Sequence, residues 1–162
     1  MKTLYLLRHA KASWDEDVED HQRSLKKRGL SDADIVADEV VARLPMPEIL
    51  VSSDAKRTLQ TAEIFKAKWK VDDTDFRKES RLYDFQGSEV LKYIKELDDT
   101  VETAMLVGHN YAFTAIANML GNARIDEIPT CGFVAIRFDV SHWKQVSKGE
   151  TFFHVFPRHL KI

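Results

Sequence analysis

The order of apolar and polar residues divides the chain into short apolar runs and longer amphipathic stretches. The runs at Thr3–Leu7, Glu48–Ser52 and Thr103–Val107 are typical of strands buried in a sheet. Within Leu25–Leu44, apolar residues recur three and four positions apart, which predicts an amphipathic helix. The same criteria predict a helix that Ser53 or Asp54 can cap and that runs to about Trp69, a helix over Gly87–Leu97, and a helix through Leu120 into which Gly108-His109-Asn110 leads. They also predict strands at Asp75–Lys78, Phe133–Phe138 and Thr151–Phe156.

Strands that alternate with helices in this way indicate an α/β fold with a largely parallel sheet. Ser31 is expected to cap part of the first helix, and Ser53 or Asp54 the second, because their side-chain oxygens can accept free N–H groups of a first turn. The acidic stretch Ser13–Asp20 is predicted to be an exposed loop.

Composition limits the classes of protein to consider. The chain has 162 residues, which fits a single domain over 1–162, and a hydrophobic content of 44% is enough for a buried core. A formal net charge of −2 argues against a nucleic-acid-binding protein. Cys131 is the single cysteine, so no internal disulfide can form. Without a signal peptide or an apolar run of membrane-spanning length, we expect a cytoplasmic protein with no membrane partner.

Cationic and imidazole side chains follow the predicted parallel strands. Arg8 and His9 come directly after the first strand, Arg57 lies in the first helical turn after the second, and His109 follows the run Thr103–Val107. Ligands of α/β sheets bind beyond the carboxyl ends of the strands, so these side chains are expected to face one pocket. Arginine provides forked donors that match phosphate oxygens, and the sequence therefore predicts an anion site.

Histidine adds the possibility of covalent chemistry at that site. A neutral imidazole can attack phosphorus, and nearby arginines disfavour a protonated ring. His9 would take a phosphoryl group, which water then releases as phosphate. Arg8, Arg57 and His109 would stabilise the negative oxygens, and a carboxylic acid could protonate the leaving group.

Three separated motifs, LRHAKA, SSDAKRTLQTA and VGHN, resemble in their order those of the histidine phosphatase superfamily. The short chain and the RHA form resemble its SixA-like branch. The resemblance implies a three-layer α/β/α sandwich of the phosphoglycerate mutase-like type. It also implies a metal-independent enzyme without a cofactor, in which His9 becomes phosphorylated and Arg8, Arg57 and His109 complete the pocket.

Further residues follow from the same resemblance. The pattern D-x-x-R-x-L at Asp20–Leu25 places Arg23 at the rim as a substrate-binding residue, and Asn110 of VGHN is a second one. Larger family members carry a glutamic acid in L-x-E-x-x-x-G, whereas this chain has Leu82-Tyr83-Asp84. The candidates for the general acid are therefore Asp84, Asp20 and Asp15.

Several functions remain open on the sequence alone. The first is a phosphatase that hydrolyses a phosphomonoester or a phosphohistidine, on a phosphorylated protein or a small phosphorylated metabolite. The alternatives are a phosphomutase and a non-catalytic phosphate-binding module. The remaining histidines lack zinc-ligand spacing, so no metal site is predicted. Trp14 either gates the substrate or belongs to a solvated loop.

Overall fold

The computed structural model describes residues 1–161, and within them one six-stranded sheet is flanked by four α-helices. Each predicted strand agrees with an observed one to within one residue at either end. The strands are β1 (Lys2–Arg8), β2 (Ile49–Ser52), β3 (Phe76–Lys78), β4 (Thr103–Gly108), β5 (Phe133–Phe138) and β6 (Glu150–Val155), and the helices are α1 (Lys27–Arg43), α2 (Lys56–Trp69), α3 (Ser88–Lys95) and α4 (Ala112–Leu120).

The sheet is mostly parallel, with the strand order β3-β2-β4-β1-β5-β6. Strands β3, β2, β4 and β1 pair in parallel, whereas β5 runs antiparallel to both of its neighbours. The carboxyl ends of β2, β4 and β1 therefore meet at one edge of the sheet, side by side.

Alternating residues of each central strand enter two separate cores. Leu4 and Leu6 of β1 pack in the core that α3 and α4 cover, while Tyr5 and Leu7 pack in the core beneath α1 and α2. All four side chains are completely buried. Because both faces of the sheet are covered, its strands read as continuous apolar runs. The predicted three-layer α/β/α sandwich is confirmed.

The beginnings of the first two helices differ from the predictions. Ser31 lies inside α1, which begins at Lys27, so the predicted cap is wrong. Gly29, in the first turn of this helix, packs tightly against the chain after β1: a Cβ there would lie 2.2 Å from the carbonyl oxygen of Lys11. Ala55 occupies the cap position of α2 and makes no side-chain capping bond.

The long amphipathic helices all belong to the two outer layers. Across residues 1–161, none of them is long and apolar enough to cross a membrane.

Candidate active site

The predicted phosphate-binding segments meet at the carboxyl ends of β1, β2 and β4. Arg57, in the first turn of α2, lies between the two histidines that follow β1 and β4. Its Nε donates to Nε2 of His9 at 3.4 Å, and its Nη2 donates to Nδ1 of His109 at 3.4 Å. The two imidazole rings are 5.5 Å apart between centroids. Segments that are far apart in sequence thus form one cluster.

His9 is held in one tautomer. Its Nδ1 lies 2.7 Å from the carbonyl oxygen of Ala10. A carbonyl oxygen only accepts hydrogen bonds, so Nδ1 carries the proton and Nε2 keeps its lone pair. The side chain is only 8% exposed. The arrangement leaves one basic nitrogen directed at Arg57.

The backbone around His9 is fixed by three distant parts of the chain. The N–H of His9 donates to the carbonyl of Gly108 at 3.1 Å, and its own carbonyl accepts the N–H of Cys131 at 2.9 Å. The N–H of Ala10 donates to Oγ1 of Thr61 at 3.0 Å. These bonds hold the imidazole in place just beyond the end of β1.

Asp20 anchors the guanidinium of Arg57 from the side opposite His9. Nη1 donates to the Asp20 carbonyl at 2.6 Å, and Nη2 donates to its carboxylate at 2.9 Å. The same carboxylate accepts from Arg23 at 3.0 Å and from the Tyr83 hydroxyl at 2.7 Å. Asp20 therefore aligns two arginines. Tyr83, which the sequence analysis did not identify, donates a further hydrogen bond to the same carboxylate.

His109 is buried beside Arg57 and is not part of the cavity wall. Because Nδ1 accepts from Arg57, Nε2 carries the proton and donates to Oγ of Ser53 at 2.8 Å. The ring of Phe85 packs 4.9 Å from the imidazole, between centroids, and lines the cavity. Ser53, considered only as a helix cap, orients this imidazole. The alternative cap, Asp54, is bonded to His21 at 2.7 Å.

A cavity of about 340 Å³ opens over His9, and the predicted arginines and Asn110 border it. Arg8, Arg23, Arg57 and Asn110 all line it. The Nε of Arg8 is buried and has no hydrogen-bond partner within residues 1–161. The side-chain oxygen of Asn110 caps the start of α4, where it accepts hydrogen bonds from the N–H and the hydroxyl of Thr114.

Both buried histidines are held neutral. Burial lowers the pKa of His9 to about 3; the charges of Arg57 and Arg8 act in the same direction, while the bond to Ala10 opposes them. Burial, followed by the charges of His9 and Arg57, lowers the pKa of His109 to about 2. Burial acts to raise the pKa of Asp20, but bonds from Tyr83, Arg57 and Arg23 hold it well below its usual range.

The histidine pKa values predict a loss of stability in mild acid. An unfolded histidine takes up a proton below about pH 6.5, whereas the folded protein binds none at these sites until about pH 3. Protons therefore favour the unfolded chain, and the stabilisation present at neutral pH decreases as the pH falls through this window. From about pH 7.5 to about pH 5, each histidine should lower the free energy of unfolding by about 2 kcal/mol.

Urea unfolding at both pH values, in a buffer without phosphate, measures this slope. His9→Gln and His109→Gln should each flatten it, whereas the exposed control His154→Gln should not. Equal slopes in all four proteins would contradict the assignment of buried neutral rings.

Two of the three candidate general acids lie away from the cavity surface. The carboxylate of Asp84 accepts four backbone N–H groups, those of Gln86, Gly87, Glu89 and Val90, and so caps the start of α3. Asp15 is exposed on the acidic loop and does not line the cavity. Asp20 does line it, but its carboxylate is held in the ionised form by its partners.

Replacing Asp84 with alanine is expected to reduce stability rather than chemistry. Loss of a helix cap typically costs about 0.5–2 kcal/mol, and urea unfolding should show a decrease of that size. Turnover at saturating substrate should stay within a few-fold of wild type. Asp84→Asn, which keeps one acceptor oxygen, serves as the matched control and should recover part of the stability. A loss of turnover without a loss of stability would instead support Asp84 as the general acid.

Within the part of the chain that the structure describes, no three His, Cys, Asp or Glu side chains are grouped to hold a metal ion.

Known proteins with similar sequences and structures share this arrangement of elements. The family model for the histidine phosphatase superfamily (branch 1) matches residues 4–90. An uncharacterized protein of Mycobacterium tuberculosis is 31% identical in an alignment 153 residues long, which covers 88% of this chain and 93% of the relative.

Solved structures extend the similarity to the whole fold. The provisionally named phosphohistidine phosphatase SixA from Agrobacterium tumefaciens is 27% identical and aligns with a TM-score of 0.81 over 95% of this chain and 97% of that one. The protein histidine phosphatase SixA complexed with tungstate is 18% identical, with a TM-score of 0.83 over 98% of this chain and 99% of that one. At that identity the second likeness concerns the fold alone.

Proposed function

The chain belongs to the histidine phosphatase superfamily, and we propose that it hydrolyses its substrate through a phosphohistidine formed at His9. The observation that carries this proposal is the state of His9: a buried, neutral imidazole whose Nε2 lone pair faces Arg57 in an arginine-lined cavity. A lone pair on a fixed ring nitrogen is what attack on phosphorus requires.

The proposed reaction has two steps. In the first, Nε2 of His9 forms a bond to phosphorus while the bond from phosphorus to the leaving group breaks, and the leaving group keeps the electron pair. In the second, water attacks phosphorus, the bond to Nε2 breaks with its electron pair returning to the ring nitrogen, and phosphate leaves with the protons of the water. The phosphorylated ring is cationic, and the bond from Nδ1–H to the Ala10 carbonyl stabilises it. No step of this scheme requires a metal ion.

The arginines stabilise the charge on the phosphoryl oxygens. Arg57 presents its Nε and Nη2 edge toward the two histidines, because Asp20 binds its other side. The unpartnered Nε of Arg8 gains an acceptor when a phosphoryl oxygen binds. Fixed donors in a site of low polarity favour the transition state because they need no reorientation. His109 accepts a hydrogen bond from Arg57 through Nδ1 and so supports this arginine from behind the cavity wall.

The carboxylates favour a substrate whose leaving group needs no enzyme acid. Asp84 is a helix cap, Asp15 is outside the cavity, and Asp20 is ionised. An imidazole or a carboxylate leaves phosphorus readily, whereas an alkoxide must be protonated as it leaves. We therefore place phosphohistidine and acyl phosphates ahead of sugar phosphates as substrates. The name of the Agrobacterium tumefaciens protein agrees with this order.

A substrate panel tests the proposal directly. Phosphoimidazole, a phosphohistidine-bearing protein and acetyl phosphate are expected to be hydrolysed at least about 100-fold faster than glycerol phosphate or glucose phosphate. Equal or faster hydrolysis of the alkyl esters would overturn the choice of substrate class. Isomerised phosphoglycerate without net phosphate release would indicate a phosphomutase. Bound phosphate with no turnover would indicate a non-catalytic module.

Replacement of Asp20 distinguishes two roles for its carboxylate: alignment of the arginines, or donation of a proton to the leaving group. Asp20→Asn loses the charge that holds Arg57 and Arg23, so kcat/KM should fall about tenfold. Because alignment acts on the phosphoryl group, the factor should be the same for acetyl phosphate, nitrophenyl phosphate and phenyl phosphate. A loss that grows with the pKa of the leaving group would instead show that Asp20 donates a proton.

A further inference from the structure

Two exposed aromatic side chains, Trp14 and Phe85, border the cavity above His9. Trp14 is 76% exposed and Phe85 is 42% exposed. The other side chains of the cavity are mainly cationic or polar, and they suit a phosphoryl group. Apolar rings do not favour an anion over water, so these two aromatic groups are suited to another part of the substrate.

Trp14 is exposed, but Arg23 packs against one face of its ring and holds it in place. The guanidinium carbon of Arg23 lies 3.3 Å from the centroid of its ring. Arg23 is itself fixed, since its Nε donates to the Ser13 carbonyl at 2.8 Å and its Nη1 to Asp20 at 3.0 Å. A cation stacked on one face orients the indole and leaves the rest of the ring open. Trp14 is therefore a positioned surface rather than a loosely solvated loop residue.

Phe85 is positioned by rings on its inner side. Its centroid lies 5.1 Å from that of Tyr83 and 4.9 Å from that of His109. The hydroxyl of Tyr83 is in turn bonded to Asp20. Both exposed aromatics thus connect to the Asp20 network that aligns the arginines, and both border the same opening.

We propose that Trp14 and Phe85 are specificity residues that stack against a planar ring in the leaving group of the substrate. This inference rests on the proposed function and specifies one more property of the substrate, namely that its leaving group contains a planar ring. Flat aromatic faces favour flat partners in offset or edge-to-face packing. The imidazole of a phosphohistidine has this shape, whether it is carried by a protein or is a free small molecule.

A comparison of two substrates with the same type of scissile bond measures the contribution of the planar ring in the leaving group. Phosphoimidazole and phosphoramidate both contain a phosphorus–nitrogen bond, but only the first has a planar ring to stack. Trp14→Ala and Phe85→Ala are each expected to lower kcat/KM for phosphoimidazole by about three- to tenfold. Hydrolysis of phosphoramidate should stay within about twofold. Trp14→Phe, which retains a ring, should recover most of the loss.

Controls separate recognition of the ring from other effects. Val18→Ala alters an exposed apolar side chain of the same loop and should leave both substrates unaffected. An equal loss on both substrates would show that Trp14 acts by holding Arg23, and would overturn the inference while the proposed function stands. A loss confined to a phosphohistidine-bearing protein, with free phosphohistidine unaffected, would also overturn it. If wild type hydrolyses neither compound, the proposed function fails first.

Discussion

Replacing His9 with alanine is expected to abolish turnover, with a loss of at least about 10³-fold in kcat. The imidazole supplies the only lone pair that the proposed scheme uses to attack phosphorus. Without it, the arginines still bind phosphate but no covalent intermediate forms. Initial rates with phosphoimidazole measure the loss, and rapid quench with a labelled phosphodonor should trap acid-labile phosphate on wild type but not on the variant.

The matched control for His9 is another histidine outside the site. His154 is exposed on β6, and His154→Ala should keep wild-type turnover and labelling. Because His9 is buried, His9→Gln and circular dichroism spectra guard against a simple folding defect. Full turnover by a folded His9→Ala protein would show that the imidazole is not the nucleophile.

Arg57→Lys is expected to lower kcat/KM by about 100- to 1,000-fold. Lysine keeps the charge but has one ammonium group in place of a planar fork. It cannot bond Asp20 on one side while presenting donors to His9 and His109 on the other, as the guanidinium does. The effect should appear in kcat as well as in KM, since the lost donors bind most strongly in the transition state.

Arg43→Lys is the matched control for this exchange. Arg43 pairs with Glu39 on the outer face of α1, and its side chain is 62% exposed. The same chemical change there should leave kcat/KM unaltered. If Arg57→Lys changes KM alone, Arg57 contributes to binding and not to the chemical step.

The sequence was sufficient to predict the fold because burial on both sides of a sheet leaves a simple pattern. Strands β1, β2 and β4 are apolar at every central position, so their boundaries were predicted closely. Helix beginnings were harder. The first turn of α1 contains Gly29, which packs against Lys11 from an earlier part of the chain, and no local pattern encodes that contact.

The meeting of Arg57 with the two histidines followed from a topological rule, but the roles of the carboxylates did not. Asp20 contacts Arg57 across 37 residues, and a carboxylate acts as anchor or acid according to the cations around it. The prediction that Ser53 caps α2 failed for a related reason. Ser53 lies where a helix cap is expected, but its hydroxyl accepts a hydrogen bond from His109. The capping role of Asp84 could have been inferred from its place before Gly87, Ser88 and Glu89.

The bond from Cys131 to the carbonyl of His9 has a consequence for biosynthesis. A nascent chain that ends before β5 already contains the RHA, Arg57 and GHN segments, yet it lacks the last of the three backbone hydrogen bonds that hold His9 and Ala10. Such a chain would remain inactive on the ribosome until residues 131–138 had emerged and joined the sheet. Phosphate release would then report completed folding, and two fragments divided between α4 and β5 would regain it only on recombining.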